Sequence, residues 1–148
     1  MHRLKILVAD DDADDIALLK RAFLKAGIAV PLNSVRDGQE AIDYLAGENE
    51  FSDREKYPFP SLLLLDIKMP RLNGFDVLGW LKSQPTLKRL PVLMFSSSSL
   101  KRDVNHSADL GANAFLQKPD TLEQLIHLVG SVKSFWLERH HWADCNPG

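Results

Sequence analysis

The chain has 148 residues, of which 45% are hydrophobic and 26% charged, and its 18 Lys and Arg against 20 Asp and Glu leave a formal net charge of −2. That length suits one domain, the composition excludes a disordered chain, and the charge balance lacks the basic excess of a nucleic-acid-binding domain. The longest apolar runs, such as Leu62 to Leu65, fall far short of the ~20 residues of a membrane span, no apolar stretch near the N-terminus reads as a secretion signal, and the only cysteine is Cys145, so a reducing, cytoplasmic setting is expected.

Ile6, Leu7, Val8 and Ala9 form an apolar run that stops at Asp10, which predicts a strand buried on both faces. Beyond the acids that follow, Ile16, Leu19, Phe23 and Ala26 recur at helical spacing, and Gly27 stands where the helix end needs a positive φ. Pro31 restricts the next strand to about Leu32 to Val35. Asp37-Gly38 marks a turn, and Ala41, Ile42 and Leu45 suggest a short helix ending at Gly47. Residues 48–60, polar and interrupted by Pro58 and Pro60, read as a long loop. Leu62 to Leu65 is the third strand, and Phe75, Val77, Leu78 and Leu81 predict a helix after Gly74. Pro91 to Phe95 is the fourth strand, leading into the serines Ser96 to Ser99. Leu100, Val104, Ala108 and Leu110 support a weakly apolar helix closed by Gly111, and Ala114 to Leu116 a short fifth strand. Leu122, Leu125, Ile126, Val129, Val132 and Trp136 outline the clearest amphipathic helix. Strands alternating with helices imply an α/β domain with a parallel sheet.

Ligands of such a sheet bind beyond the carboxyl ends of the strands, where the strand order reverses. The polar residues fall there: Asp10, Asp11 and Asp12 after strand one, Asp66 after strand three, Ser96 after strand four and Lys118-Pro119 after strand five. Clustered carboxylates repel one another unless a cation sits among them. A hard divalent ion such as Mg²⁺ relieves that repulsion, and a nearby lysine and hydroxyl suit a phosphoryl group.

At these residues the chain resembles the receiver domain of two-component response regulators. The matching pieces are LVADDD at 7–12, LLLLDIKMPRLNG at 62–74, PVLMFSSS at 91–98 and FLQKP at 115–119, in the same order and spacing over nearly the whole chain. The resemblance implies a doubly wound, flavodoxin-like sheet of five parallel strands in the order 2-1-3-4-5 with helices on both faces. It implies that Asp66 is the phosphoacceptor, attacking a phosphohistidine of a sensor histidine kinase. Asp11 would ligate Mg²⁺ directly, Asp10 through water, and Asp66 and the backbone carbonyl of Lys68 would complete the metal site. Ser96 would hydrogen-bond the phosphoryl group, Lys118 would pair with its charge, and a cis bond before Pro119 would aim that lysine. Phe115 stands at the position of the family's aromatic switch. The long 48–60 loop and Ser134-Phe135-Trp136-Leu137 are similar to the stand-alone regulators paired with bacterial phytochromes. Residues 1–137 are then the receiver and 138–148 a flexible tail. Beyond intrinsic Mg²⁺-dependent self-phosphorylation and dephosphorylation no enzymatic activity is implied, and output is expected through a downstream protein target or a homodimer, not through nucleic acid or membrane. Lys68 and Ser98 flank the reactive positions and bear on how long an acyl phosphate lasts, whereas Asn73, in place of the commoner acid, is expected to matter little.

Blander readings attach to several of these residues. Asp12, Asp14 and Asp15 read as acids that complement the dipole of the first helix, and Phe115 serves equally well as a core aromatic. His140, His141 and Cys145 lack the spacing of a zinc site, and His106 and His127 have no assigned role. A haloacid-dehalogenase-type phosphatase would use Asp10 and Asp12, but the later acidic pair it requires is missing and Asp66 would have no task. Asp10-x-Asp12-x-Asp14 starts like an EF-hand loop, yet Asp15 and Arg21 stand where Gly and Glu are needed. The glycines of a dinucleotide-binding turn are absent after strand one. A receiver-like interaction module that never takes up phosphate remains the alternative.

Overall fold

The computed structural model describes residues 5–134. In chain order they form β1 (Ile6–Ala9), α1 (Ala13–Lys25), β2 (Leu32–Val35), α2 (Gly38–Ala46), a 3₁₀ turn (Asn49–Phe51), β3 (Leu62–Leu65), α3 (Gly74–Ser83), β4 (Val92–Ser96), α4 (Lys101–Asp109), β5 (Ala114–Gln117) and α5 (Leu122–Val132). The strands pair in parallel in the order β2-β1-β3-β4-β5, with Ile6 opposite both Leu32 and Leu62, Leu63 opposite Val92 and Leu93 opposite Ala114. The order reverses between β1 and β3, so the crevice there opens beyond Ala9 and Leu65.

Successive strand residues point to opposite faces, and this alternation divides the core in two. Leu7, Ala9, Leu63, Leu65, Val92 and Met94 meet α2 and α3 through Ala41, Tyr44, Leu45, Val77, Leu78 and Leu81. Ile6, Val8, Leu62, Leu64, Leu93 and Phe95 meet α1 and α5 through Ile16, Leu19, Ala22, Phe23, Leu125 and Val129. Burying a side chain of this kind contributes about 1.5–3 kcal/mol. Strands β1 and β3 are therefore apolar along their whole length and β4 as far as Phe95, and polarity begins at their carboxyl ends.

The structure corrects the sequence reading in several places. The 48–60 loop is built around the 3₁₀ turn, and it buries Phe51 and Phe59 in the α2 and α3 core. Phe51, Tyr57 and Tyr44 stack edge to face or tilted at 5.1–5.9 Å. Arg54 donates to the carbonyls of Tyr44, Leu45 and Tyr57 at 2.8, 3.0 and 3.1 Å, capping the end of α2. These aromatics follow no period, so the pattern that reveals helices and strands passes over them. Strands β4 and β5 each run one residue further than predicted, pairing Ser96 with Gln117. Of the apolar residues predicted for α4, Leu110 at its C-cap packs against the core, but Leu100 at its N-cap and Val104 are 50% and 36% exposed, and Ser107 is the buried residue of the helix. The Lys118–Pro119 bond is trans, as is every peptide bond among the described residues. Lys118 is instead aimed by its own N–H, which donates to the Ser96 carbonyl at 2.8 Å. Helix α5 is described to Val132 and its cap at Lys133. The expectations for Phe135, Trp136 and Leu137, and for the 138–148 tail with His140, His141 and Cys145, lie outside the described residues.

Arg54→Ala strips three carbonyls of a charged donor and is expected to destabilise the fold by about 2 kcal/mol, with Arg54→Lys recovering little because an ammonium cannot fork between them. Denaturant midpoints of the three proteins measure this.

Candidate functional site

The end of each central strand delivers one functional side chain to the crevice. Asp10 follows β1, its N–H held by the Val35 carbonyl at 3.0 Å, and Asp66 follows β3, its N–H held by the Ala9 carbonyl at 2.9 Å. Both are buried, at 2% and 7% exposure. The Asp66 carboxylate accepts from the Ile67 N–H at 2.7 Å through Oδ1, leaving Oδ2 to face the crevice. The chain after Asp66 is pressed close to α3: a side chain on Gly74 would run into the Asp66 carbonyl, and one on Gly38 into the carbonyl of Leu72. Arg71, at a positive φ of 65°, makes a two-point ion pair with Asp37 at 2.9–3.1 Å, tying this loop to the start of α2. Asn73 caps α3, exchanging hydrogen bonds with Asp76, so its amide performs the capping task of an acid.

The β4 and β5 ends supply the other two groups. Ser96 is 2% exposed, and its Oγ accepts from the Ser98 N–H at 3.2 Å. Ser98 in turn donates to Asp103 at 2.6 Å, which pins the β4–α4 loop to the first turn of α4. Phe115 is half-buried on the α2 and α3 side of the sheet, opposite Met94, and so takes part in the core. His106 packs its ring on Phe75 at 4.4 Å.

Lys118 spans the crevice. Its Nζ lies 2.8 Å from Asp10 Oδ2, 2.8 Å from Asp15 Oδ2 and 3.0 Å from Asp66 Oδ2, and 5.9 Å from the centre of the Phe95 ring. Burial alone would lower the lysine, but hydrogen bonds to Asp10 and Asp15 and the charge of Asp66 outweigh it and hold the ammonium above its ordinary 10.5. Asp10 moves the other way from most paired acids. Burial pushes its carboxyl above 3.8, hydrogen bonds from Lys118 and the Asp12 N–H oppose this, and the charge of Asp66 adds to the rise. At Asp10 the shared ammonium does not offset the cost of burial.

Asp10, Asp11 and Asp66 can each direct one carboxylate oxygen into a group whose members lie within 4.8 Å of one another. An all-oxygen set with one exposed member suits a hard cation that keeps several waters, so these residues fit Mg²⁺ or a similar divalent ion. Asp10, Asp11, Asp66 and Lys118 thus fall together, while Ser96 stands at the neighbouring end of β4, Lys68 in the loop after Asp66 and Phe115 in the core. Asp12 is the N-cap of α1, accepting from the N–H groups of Asp14 and Asp15, and Asp14 is exposed, as the dipole reading expects. Asp15 departs from that reading by pairing with Lys118. It stands four residues before Leu19 and seven before Ala22, both buried, which places it on the inward face of α1. That spacing was the available signal.

Asp10→Asn removes a charge from a repelling set and is expected to stabilise the metal-free protein by about 1 kcal/mol at neutral pH. An acid raised above its unfolded value has its full cost at neutral pH and none once protonated, so the gain should shrink as the pH falls towards 3.8. Denaturation of both proteins in a chelator, at neutral and mildly acidic pH, checks the size and the trend; an undiminished gain in acid contradicts this account.

Comparison with known proteins agrees with this geometry. Residues 6–130 match the response regulator receiver domain. The chain is 35% identical over 133 residues to response regulator Rcp1 of Synechocystis, spanning 90% of this chain and 88% of that protein. The crystal structure of the phosphorylated cyanobacterial phytochrome response regulator RcpA superposes with a TM-score of 0.88 at 36% identity, covering 97% of this chain and all of that one. The Mn²⁺-bound form of Rcp1 gives 0.84 at 33% identity, over 95% and 99% of the two chains. By its sheet order, its strand-end chemistry and these relatives, the chain belongs to the receiver domain family of two-component response regulators.

Proposed function

We propose that this receiver accepts a phosphoryl group on Asp66 from a phosphohistidine of a phytochrome-type sensor histidine kinase, and passes the signal on through protein contacts. The observation that carries the reading is the buried Asp66 carboxylate, gathered with Asp10 and Asp11 and touched by the Lys118 ammonium. The new bond joins a carboxylate oxygen of Asp66 to phosphorus as the P–N bond to the donor histidine breaks. Asp10, Asp11 and Asp66, with the Lys68 carbonyl, are the residues that would hold Mg²⁺. Bound there, Mg²⁺ supplies positive charge for the phosphoryl oxygens during transfer. Lys118 contributes a second cation, and the Ser96 hydroxyl a hydrogen bond to the phosphoryl group. The same groups support self-phosphorylation by small donors and hydrolysis of the acyl phosphate.

Phosphorylation replaces the single charge of the Asp66 carboxylate with the about −1.5 to −2 of a phosphorylated side chain at neutral pH, and it spreads that charge over three new oxygens. The β4–α4 loop is the element placed to respond, since Ser96, Ser98 and Asp103 form one hydrogen-bonded chain from the crevice to α4. Movement of Ser96 would loosen that chain and let Phe115 repack, a shift between two packings of one fold. The outward-facing Leu100 and Val104 of α4 would then meet a downstream protein or a second copy of the chain. Among the described residues no helix is long and apolar enough to cross a membrane, which accords with a cytoplasmic role.

Incubation with Mg²⁺ and acetyl phosphate or phosphoramidate, followed by intact-mass measurement, should add one phosphoryl group to the wild type and none to Asp66→Ala or to wild type in a chelator. Absence of the added mass on the wild type, or equal uptake by Asp66→Ala, overturns the reading. Lys118→Ala should retain some uptake while losing the difference in partner binding between phosphorylated and resting protein.

A further inference from the structure

Two overlapping sets of groups share Asp10 and Asp66. With Asp11 these carboxylates form the cation-binding cluster; with Asp15 they surround Lys118 Nζ, each within 3.0 Å. The Asp10 and Asp66 carboxylates that suit a divalent ion are therefore already engaged by the ammonium. A dication and an ammonium in one buried pocket repel each other, and both draw on the same two acids. Among the described residues, Asp15 is the one acid in contact with Lys118 that stands outside the cation cluster, and its side chain is 34% exposed where that of Asp10 is 3% exposed.

We infer that Asp15 is a positioning residue that gives Lys118 an anchor for which the metal does not compete, so that both cations occupy the pocket together. The inference rests on the proposed Mg²⁺-dependent phosphorylation at Asp66 and deepens it. When a dication engages Asp10 and Asp66, Lys118 keeps its hold on Asp15 and stays within reach of Asp66. Its remaining protons can then follow the oxygens that Asp66 acquires. Without Asp15 the ammonium has only the metal-binding acids to pair with, and it opposes metal entry more strongly. The role belongs to the Asp15 carboxylate acting through Lys118 and is distinct from the general attraction of any nearby acid for a cation.

Calorimetric titration with Mg²⁺ at fixed ionic strength separates the two effects. Asp14→Asn removes the same charge from the first turn of α1 at an exposed position away from Lys118, and serves as the matched control. Asp15→Asn is expected to weaken Mg²⁺ binding about five-fold more than Asp14→Asn, the size of coupling seen between groups in direct contact. In a Lys118→Ala background that excess should vanish, leaving the two substitutions equivalent. Equal effects of Asp15→Asn and Asp14→Asn in the otherwise wild-type protein, or an excess that persists without Lys118, overturn the inference while wild-type Mg²⁺ binding and phosphorylation leave the parent reading intact. Wild-type protein that binds no Mg²⁺ removes both together.

Discussion

A single ammonium group set among two buried carboxylates and one at the rim governs this molecule. Lys118 comes from the far side of β4, crosses the ends of the central strands and touches Asp10, Asp15 and Asp66 at once. Neither acids nor lysine would be tolerated alone at such depth, because an unpaired buried charge costs several kcal/mol. Paired, three carboxylates around one ammonium still leave an excess of negative charge, while the Asp10 carboxyl is raised chiefly by its burial, with a smaller contribution from the charge of Asp66. The pocket is thus held short of neutrality, a state that favours uptake of a further cation and of the phosphoryl chemistry a cation assists.

The sheet makes this arrangement possible by separating apolar from polar along the strand axis. Residues 62–65 are leucines buried from both sides, and the next residue is Asp66, the proposed phosphoacceptor. Parallel pairing brings the carboxyl ends of β1, β3, β4 and β5 to one edge, so groups far apart in the chain converge without any local motif joining them. Close backbone contacts then limit how the Asp66 loop can move. Gly74 lets α3 start against the Asp66 carbonyl, and the Arg71–Asp37 pair ties the far end of the loop to α2. A reacting carboxylate needs this fixity, since misplacement of about 1 Å is costly in rate.

The opposite design holds around α4. This helix buries little, lacks a side-chain cap at Leu100 and is connected to the crevice by the Ser96–Ser98–Asp103 chain. Weak packing makes an element easy to shift, and elements that move in signalling come from the low-stability end of a fold. The rigid half of the site and the loosely held half are thus on neighbouring strands, the arrangement that the proposed switch requires.

Much of this was legible in the residues themselves. The apolar runs of β1, β3 and β4, the helical spacing in α1, α3 and α5, and the break to polar residues at Asp10, Asp66, Ser96 and Lys118 are local patterns, and local patterns survive in a linear string. The packing of Phe51, Tyr57 and Phe59 around Arg54 did not show, because it depends on contacts between irregularly spaced residues. The outward placement of Leu100 and Val104 likewise did not show in their spacing. Asp15 is the telling case. Its sequence context is that of a helix-capping acid, and only the crossing of Lys118 from β5 turns it into a member of the site. Sequence alone determined which groups stand at the strand ends; tertiary structure decided which of them touch, because electrostatic partnership falls off within a few ångströms and depends on distance in space.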